Sequence, residues 1–480
     1  MLINSLYFGF LFPLIFILYW TIPASLKQVR NYLLLIVSYL VYMNWKPAFA
    51  TVLLDVTLIT YSGGVILCKS NNSRRKTLCM CFAALGLLPL LVFKYYNFLN
   101  DSLTGLLQTC GLHFELPGLN WAIPVGISFF TFQAVGYLLD VYHSRIPAEK
   151  NFLDYALFVS FFPQVTSGPI SRAQDLMPQI KSPRTFNYDQ GRDGLKLLLW
   201  GLFLKSVIAD RAGIYVDTVY ANIDAYTGIN CLLASVLYTL QIYCDFAGYS
   251  FMAIGVAKTL GFDLVNNFER PYLAASVTEF WKRWHISLTQ WLTTHVYINL
   301  GGNRCSKARQ YTNILITFLV SGLWHGANWT FVIWGALHGL FQIVEKALYG
   351  DALKSKLNQK EHILTLSRGL RILATFTLVS MAWIFFRMPS VEQAWEVIIK
   401  ILRLEHSSSW FNKEGIVMMA YLVFGLVPFL FFEFVQEYYP RVVSWIKQKT
   451  VLRWVIYLSI LIMIVLFGIH DSSQFIYVSF

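Results

Sequence analysis

SGLWHGANW, residues Ser321 to Trp329, places His325 inside a stretch that carries no Lys or Arg from Gln310 to Glu345. That stretch is long enough to cross a bilayer. An ionisable side chain at such depth is costly to bury and is by default a candidate functional group. About 40 residues earlier stands a second unusual segment, EFWKRWHISLTQWL, which carries His285. The reading that decides the fold is a membrane scaffold that brings these two histidines to one buried site.

Composition agrees. Of 480 residues, 56% are hydrophobic and 13% charged, and the mean hydropathy is +0.52. A soluble protein carries about 25% charged residues. Aromatics make up 17% of the chain, which suits lipid contact and interfacial belts. The formal charge of +12 is gathered in short basic stretches between apolar runs, as in KSNNSRRK at 69–76. That is the positive-inside pattern of cytoplasmic loops. No basic patch stands on a soluble domain, which argues against nucleic-acid binding. The first basic residue is Lys27, so the opening apolar run reads as a retained helix rather than a secretory leader.

The expected fold is an all-α polytopic membrane protein of about 11–13 transmembrane or re-entrant helices. It is read as a single membrane domain over 1–480, with a histidine-bearing core at 267–345. LFVSFFPQVTSGPISR, broken by Pro163, Gly168 and Pro169, is expected to face the interior, because broken apolar backbone needs protein around it. Helical spacing from Phe280 to Leu292 puts Phe280, Trp281, Trp284, His285, Leu288, Trp291 and Leu292 on one stripe. Lys205 and Asp210 read as an ion pair with a snorkelling lysine. LGGNR reads as a tight turn, His113 as an ordinary interfacial residue, and the HDSSQFIYVSF tail as external.

The chemistry is bounded by what is missing. There is no H-E-x-x-H, no G-x-S-x-G and no Walker loop. The seven cysteines are scattered, and Cys79-x-Cys81 has neither a second pair nor a flanking His, so neither a metal nor a disulfide is expected. His325 and His285 are the candidate catalytic groups; each could also be a satisfied structural histidine. A buried neutral imidazole can act as a general base toward an acceptor hydroxyl attacking an acyl carbonyl. Asp245, in the apolar YCDFAGYSF run, could hold a histidine's tautomer or pair with a basic group. Trp324 and Asn328 flank His325 as supporting candidates. Composition leaves a proton relay in a transporter open as well.

The chain resembles the membrane-bound O-acyltransferase (MBOAT) superfamily, specifically its bacterial alginate O-acetyltransferase type. The likeness is carried by SYLVYMNW (38–45), PVGISFFTFQAVGYLLDVY (124–142), FFPQVTSGPISRAQDLMPQ (161–179) and YCDFAGYSFMAIGVAKTLGF (243–262). It continues through NFERPYLAASVTEFWKRWHISLTQWL (267–292), LGGNR (300–304), SGLWHGANWTFVIWGALHG (321–339) and WIFFRMPS (383–390). The resemblance implies that His325, in the WHG element, is the catalytic histidine and that His285, in the WHISL element, is its companion. It implies a helical bundle around a central funnel. The acyl group would pass from a cytoplasmic thioester, acetyl-CoA or an acyl carrier, to an exported or cell-surface polysaccharide. It implies a multi-pass protein of the bacterial inner membrane, in contact with lipid and with no permanently bound cofactor. A separate extracytoplasmic acyltransferase or acceptor-binding partner is expected. The chain departs from the family pattern at Thr293, Thr294, His295, Asn299 and Phe251. Peptidoglycan O-acetylation, teichoic acid D-alanylation, and a flippase or transporter without chemistry are the alternatives.

Overall fold

Among the described residues six helices are long and apolar enough to cross a membrane, and the other described helices are shorter, broken or more polar. The computed structural model describes residues 3, 5–112, 116–350, 364–403 and 413–469. His113 and the HDSSQFIYVSF tail lie outside them. No strand occurs among the described residues. The six are Phe49–Lys69, Asn72–Thr109, Gly228–Thr259, Trp329–Tyr349, Leu366–Arg387 and Thr450–Phe467. Two bent pairs raise the number to eight if each is one span: Tyr7–Thr21 with Ala24–Met43, bent by 108°, and Leu422–Tyr438 with Pro440–Gln448, bent by 107°. The higher count expected from the sequence arises because many apolar runs form helices too short to span. Ile127–Tyr142, at 16 residues, is one of these.

The chain packs as two compact units. The first holds the residues up to Leu198 together with Met252–Val265; the second holds Leu199–Phe251 and the chain from Asn266 onward. Within the first unit, Ile127–Tyr142 is buried along nearly all of its length. Phe152–Ser160 then gives way to irregular backbone through 161–172 that is buried almost throughout. Buried irregular backbone must find partners. Here the Phe162 amide donates to Ser38 Oγ at 3.1 Å, and the Ser171 hydroxyl to Gln164 Oε1 at 2.7 Å. The broken segment therefore faces protein, as its prolines and glycine suggest.

The second unit carries both histidines, and five helices matter for it. In chain order they are α1 (Val277–Arg283), α2 (Ile286–Leu292), α3 (Lys307–His325), α4 (Trp329–Tyr349) and α5 (Leu366–Arg387). The stretch free of Lys and Arg folds as a hairpin, α3 and α4, rather than one span. Glycine lets the two helices approach. A Cβ on Gly322 would lie 2.2 Å from the Phe331 carbonyl oxygen, and one on Gly335 would lie 2.4 Å from that of Phe318. Ser306 caps α3 by accepting from the Arg309 amide, and Asn328 caps α4 by accepting from the Thr330 amide. The hairpin turn thus holds His325 at the end of one helix, four residues from the start of the next.

Candidate active site

His285 does not lie on a continuous helix, which corrects the single-stripe expectation. Helix α1 ends at Arg283 and α2 begins at Ile286, and His285 between them has φ 42° and ψ 55°. This left-handed conformation costs a non-glycine residue roughly 1–2 kcal/mol. The buried set is still the one the spacing gives, with Ser287 added.

Local bonds hold the break. The Ile286 amide donates to the Asn267 carbonyl at 3.0 Å, the Ser287 amide to Asn267 Oδ1 at 3.1 Å, and the Glu269 amide to the Arg283 carbonyl at 2.9 Å. Ion pairs then fix α1 from its other side. Arg283 Nη2 reaches Glu279 at 2.6 Å and Glu437 at 2.8 Å, while Arg270 Nε reaches the other oxygen of Glu437 at 2.7 Å. Glu345 of α4 accepts from the Thr278 amide at 2.8 Å and its hydroxyl at 2.6 Å. Strain at a residue persists where its surroundings over-determine it, and such positions cluster at functional sites.

The two histidine rings meet. Their centroids are 6.3 Å apart, and Trp324 contacts both, at 5.6 Å from His285 and 4.9 Å from His325. His285 is fully buried, with Phe246 edge-on at 4.7 Å. His325 is also buried, between Trp334 at 5.0 Å and Phe386 at 5.1 Å. Two imidazoles in an aromatic enclosure sit in a medium of low dielectric, which strengthens any electrostatic interaction with a reacting group.

The supporting candidates divide. Trp324 is part of the enclosure. Asn328 is a helix cap whose Nδ2 also donates to the Pro389 carbonyl at 2.9 Å, so it ties the hairpin turn to the chain just after α5. Asp245 takes the pairing alternative. Its carboxylate lies 2.6 Å from Lys205 Nζ, which is also 2.6 Å from Asp210. Lys205 is only 3% exposed, so it bridges two carboxylates in the interior instead of snorkelling. No group of three or more potential metal ligands occurs among the described residues.

A cavity of about 380 Å³ opens among α1–α4, lined by residues near the histidines in the chain but by neither histidine itself. Lys282, Lys346, Gln342 and Tyr297 line it, together with Trp281, Phe318, Leu288 and Ser321. Ser321 precedes His325 by one turn of α3, and Leu288 follows His285 by three residues. Lys346 stands near the far end of α4, roughly 18 Å along the helix from Trp334. The cavity lining therefore reaches within about one helical turn of each histidine and also takes in two lysines, Lys282 on α1 and Lys346 near the end of α4.

Comparisons with known proteins give the family. The model of the MBOAT, membrane-bound O-acyltransferase, family matches residues 143–386. This chain belongs to that family. It is a multi-pass membrane protein and an acyltransferase. It is 39% identical over 401 residues to the probable alginate O-acetylase AlgI of Azotobacter vinelandii, covering 83% of this chain and 77% of the relative. The protein of the same name from Pseudomonas aeruginosa is 37% identical over 444 residues, covering 89% and 82%. A peptidoglycan O-acetyltransferase of Helicobacter pylori is 34% identical over 428 residues, covering 83% and 79%.

Sequence reading located both histidines and missed what holds them. Asn267 carries no signal of its own in the sequence, and Glu437 closes an apolar run. The rule that flags Asp245 applies equally to Glu437. Lys282 and Lys346 carried no local signal, since only the fold brings them to one cavity.

Proposed function

We propose that this acyltransferase O-acetylates an exported or cell-surface polysaccharide, drawing the acetyl group from a cytoplasmic thioester at the bacterial inner membrane. The observation that carries the reading is the pair of neighbouring buried histidines together with a cavity, lined by Lys282 and Lys346, whose wall includes Ser321 and Leu288, each within about one helical turn of a histidine. The two AlgI relatives support acetyl as the group and a polysaccharide as the acceptor.

The chemistry follows from the residues. Lys282 and Lys346 suit the phosphates of a phosphopantetheine arm, which CoA and acyl carriers share. The apolar wall of Trp281, Leu288 and Phe318 suits the rest of the arm, with the thioester toward the histidines. His325 acts as general base on the acceptor hydroxyl. The hydroxyl oxygen bonds to the thioester carbonyl carbon, the C–S bond breaks, and the proton taken by His325 passes to the departing thiolate. His285 positions the carbonyl and stabilises the charge that develops on its oxygen. Positive-inside placement of the basic loops supports Lys346 on the cytoplasmic side and the α3–α4 turn toward the outer face. A partner protein outside the membrane would then carry the acyl group to the glycan or present the acceptor. Peptidoglycan is the second reading of the acceptor, on the strength of the Helicobacter pylori relative.

The test is ester-linked acetate on surface polysaccharide and on peptidoglycan from cells with the wild-type gene, His325→Ala or no copy, with membrane levels measured alongside. The reading expects polysaccharide acetate to disappear in both altered strains. Acetate unchanged in the deletion would overturn it; loss confined to peptidoglycan would favour the second acceptor.

A further inference from the structure

His338 is a third buried histidine, unassigned by the chemistry above and fully enclosed on α4. Its Nδ1 lies 3.2 Å from Nε1 of Trp281. Indole nitrogen can only donate, so His338 Nδ1 must accept, which requires a neutral ring with its proton on Nε2. The bond links α4 to α1 across 57 residues of chain.

Trp281 is placed to matter. It lines the cavity together with Phe318, whose ring lies 5.1 Å away. Its ring also lies 5.7 Å from Trp334, which stands between His325 at 5.0 Å and His338 at 4.9 Å. The order from cavity to site is thus Trp281, Trp334, His325. An indole in such a wall is amphipathic, and its orientation sets the shape of the space beside it. The ring contacts are only weakly directional and permit more than one setting of the indole. The hydrogen bond to His338 is directional and selects one.

We propose that His338 is a positioning residue for donor binding: through its hydrogen bond it fixes the indole of Trp281 as the wall against which the thioester arm lies. The inference rests on the donor reading of the cavity given above. His338 touches neither the donor nor the reacting atoms. Its effect should fall on donor affinity and KM rather than on kcat.

The test uses purified full-length protein and S-acetonyl-4′-phosphopantetheine, which has the arm common to both donor classes and no ester bond to break. Dissociation constants are measured for wild type, His338→Phe, Trp281→Phe, the double variant and His338→Asn. The Asn side chain can offer an acceptor near the position of Nδ1. Each Phe variant should weaken binding about fivefold, the scale of one net hydrogen bond. The double variant should bind no worse than the weaker single, and His338→Asn should recover most of the affinity. Losses that multiply in the double variant, unchanged affinity in His338→Phe, or no recovery with Asn would each overturn the proposal. So would absence of binding to wild type, which removes the donor cavity itself. Binding that depends on His338 as described, in a protein that transfers acetyl to no hydroxyl, would leave this inference standing and overturn the O-acetylation reading instead.

Discussion

The ring of His285 and the ring of His325 stand 6.3 Å apart, centroid to centroid, with Trp324 packed against both. One histidine sits at a helix break and the other at a helical hairpin turn, so the pair is assembled by two independent backbone devices. Groups that act as one unit lose activity non-additively. Replacing either histidine by Ala should lower transfer by about 10²–10⁴-fold. The double variant should fall little below the worse single. Initial rates on one thioester donor check this, and effects that multiply would mean the histidines serve separate steps.

The left-handed backbone at His285 separates folding from chemistry. Glycine adopts φ 42° without the steric cost that alanine bears. His285→Gly should therefore be more stable than His285→Ala by roughly 1 kcal/mol, while both are inactive. Thermal unfolding in detergent compares the two. Equal stabilities would mean that the break relaxes when the ring is removed.

Arg283 lies between two carboxylates, at 2.6 Å from Glu279 and 2.8 Å from Glu437, and none of the three side chains is more than 17% exposed. Removing it leaves partly buried carboxylates short of a partner. Arg283→Ala should cost about 1–3 kcal/mol of stability and lower activity through the WHISL segment. Removing Glu437 as well should return part of the loss, because the carboxylate left short of a partner goes with it. A double-mutant cycle on unfolding free energy reads the coupling.

Lys282 and Lys346 are the lysines that line the cavity. Charge reversal at either should raise the KM for an acyl thioester by about tenfold and change kcat little, since binding is lost and chemistry is not. The difference from wild type should shrink as salt rises and screens the lysines. A KM insensitive to both substitutions would move the donor elsewhere.

How much the sequence revealed depends on the kind of signal. His325 stood out because an ionisable group within an apolar run is rare, and His285 because helical spacing set it on an aromatic stripe apart from Lys282 and Arg283. The interior placement of residues 161–172 was legible for a related reason: Pro163, Gly168 and Pro169 break the helix, and broken backbone cannot face lipid. The kink at His285 was not legible. Residues 280–292 have helical periodicity, and the interruption is held by Asn267, 18 residues before His285, and by Glu345 and Glu437 from farther along the chain. The partner of Asp245 was open for the same reason, since Lys205 is 40 residues away. The bond between Trp281 and His338 joins two helices, and neither residue alone marks it.

The most direct test of the account is a single-turnover assay with purified protein in lipid, acetyl-labelled thioester donor and an oligosaccharide acceptor, comparing wild type with His325→Ala at matched occupancy of the donor cavity. Wild type should form labelled ester on the acceptor, and the variant should do so at a rate lower by at least about 10²-fold with donor binding retained. Transfer by His325→Ala at the wild-type rate would contradict the account.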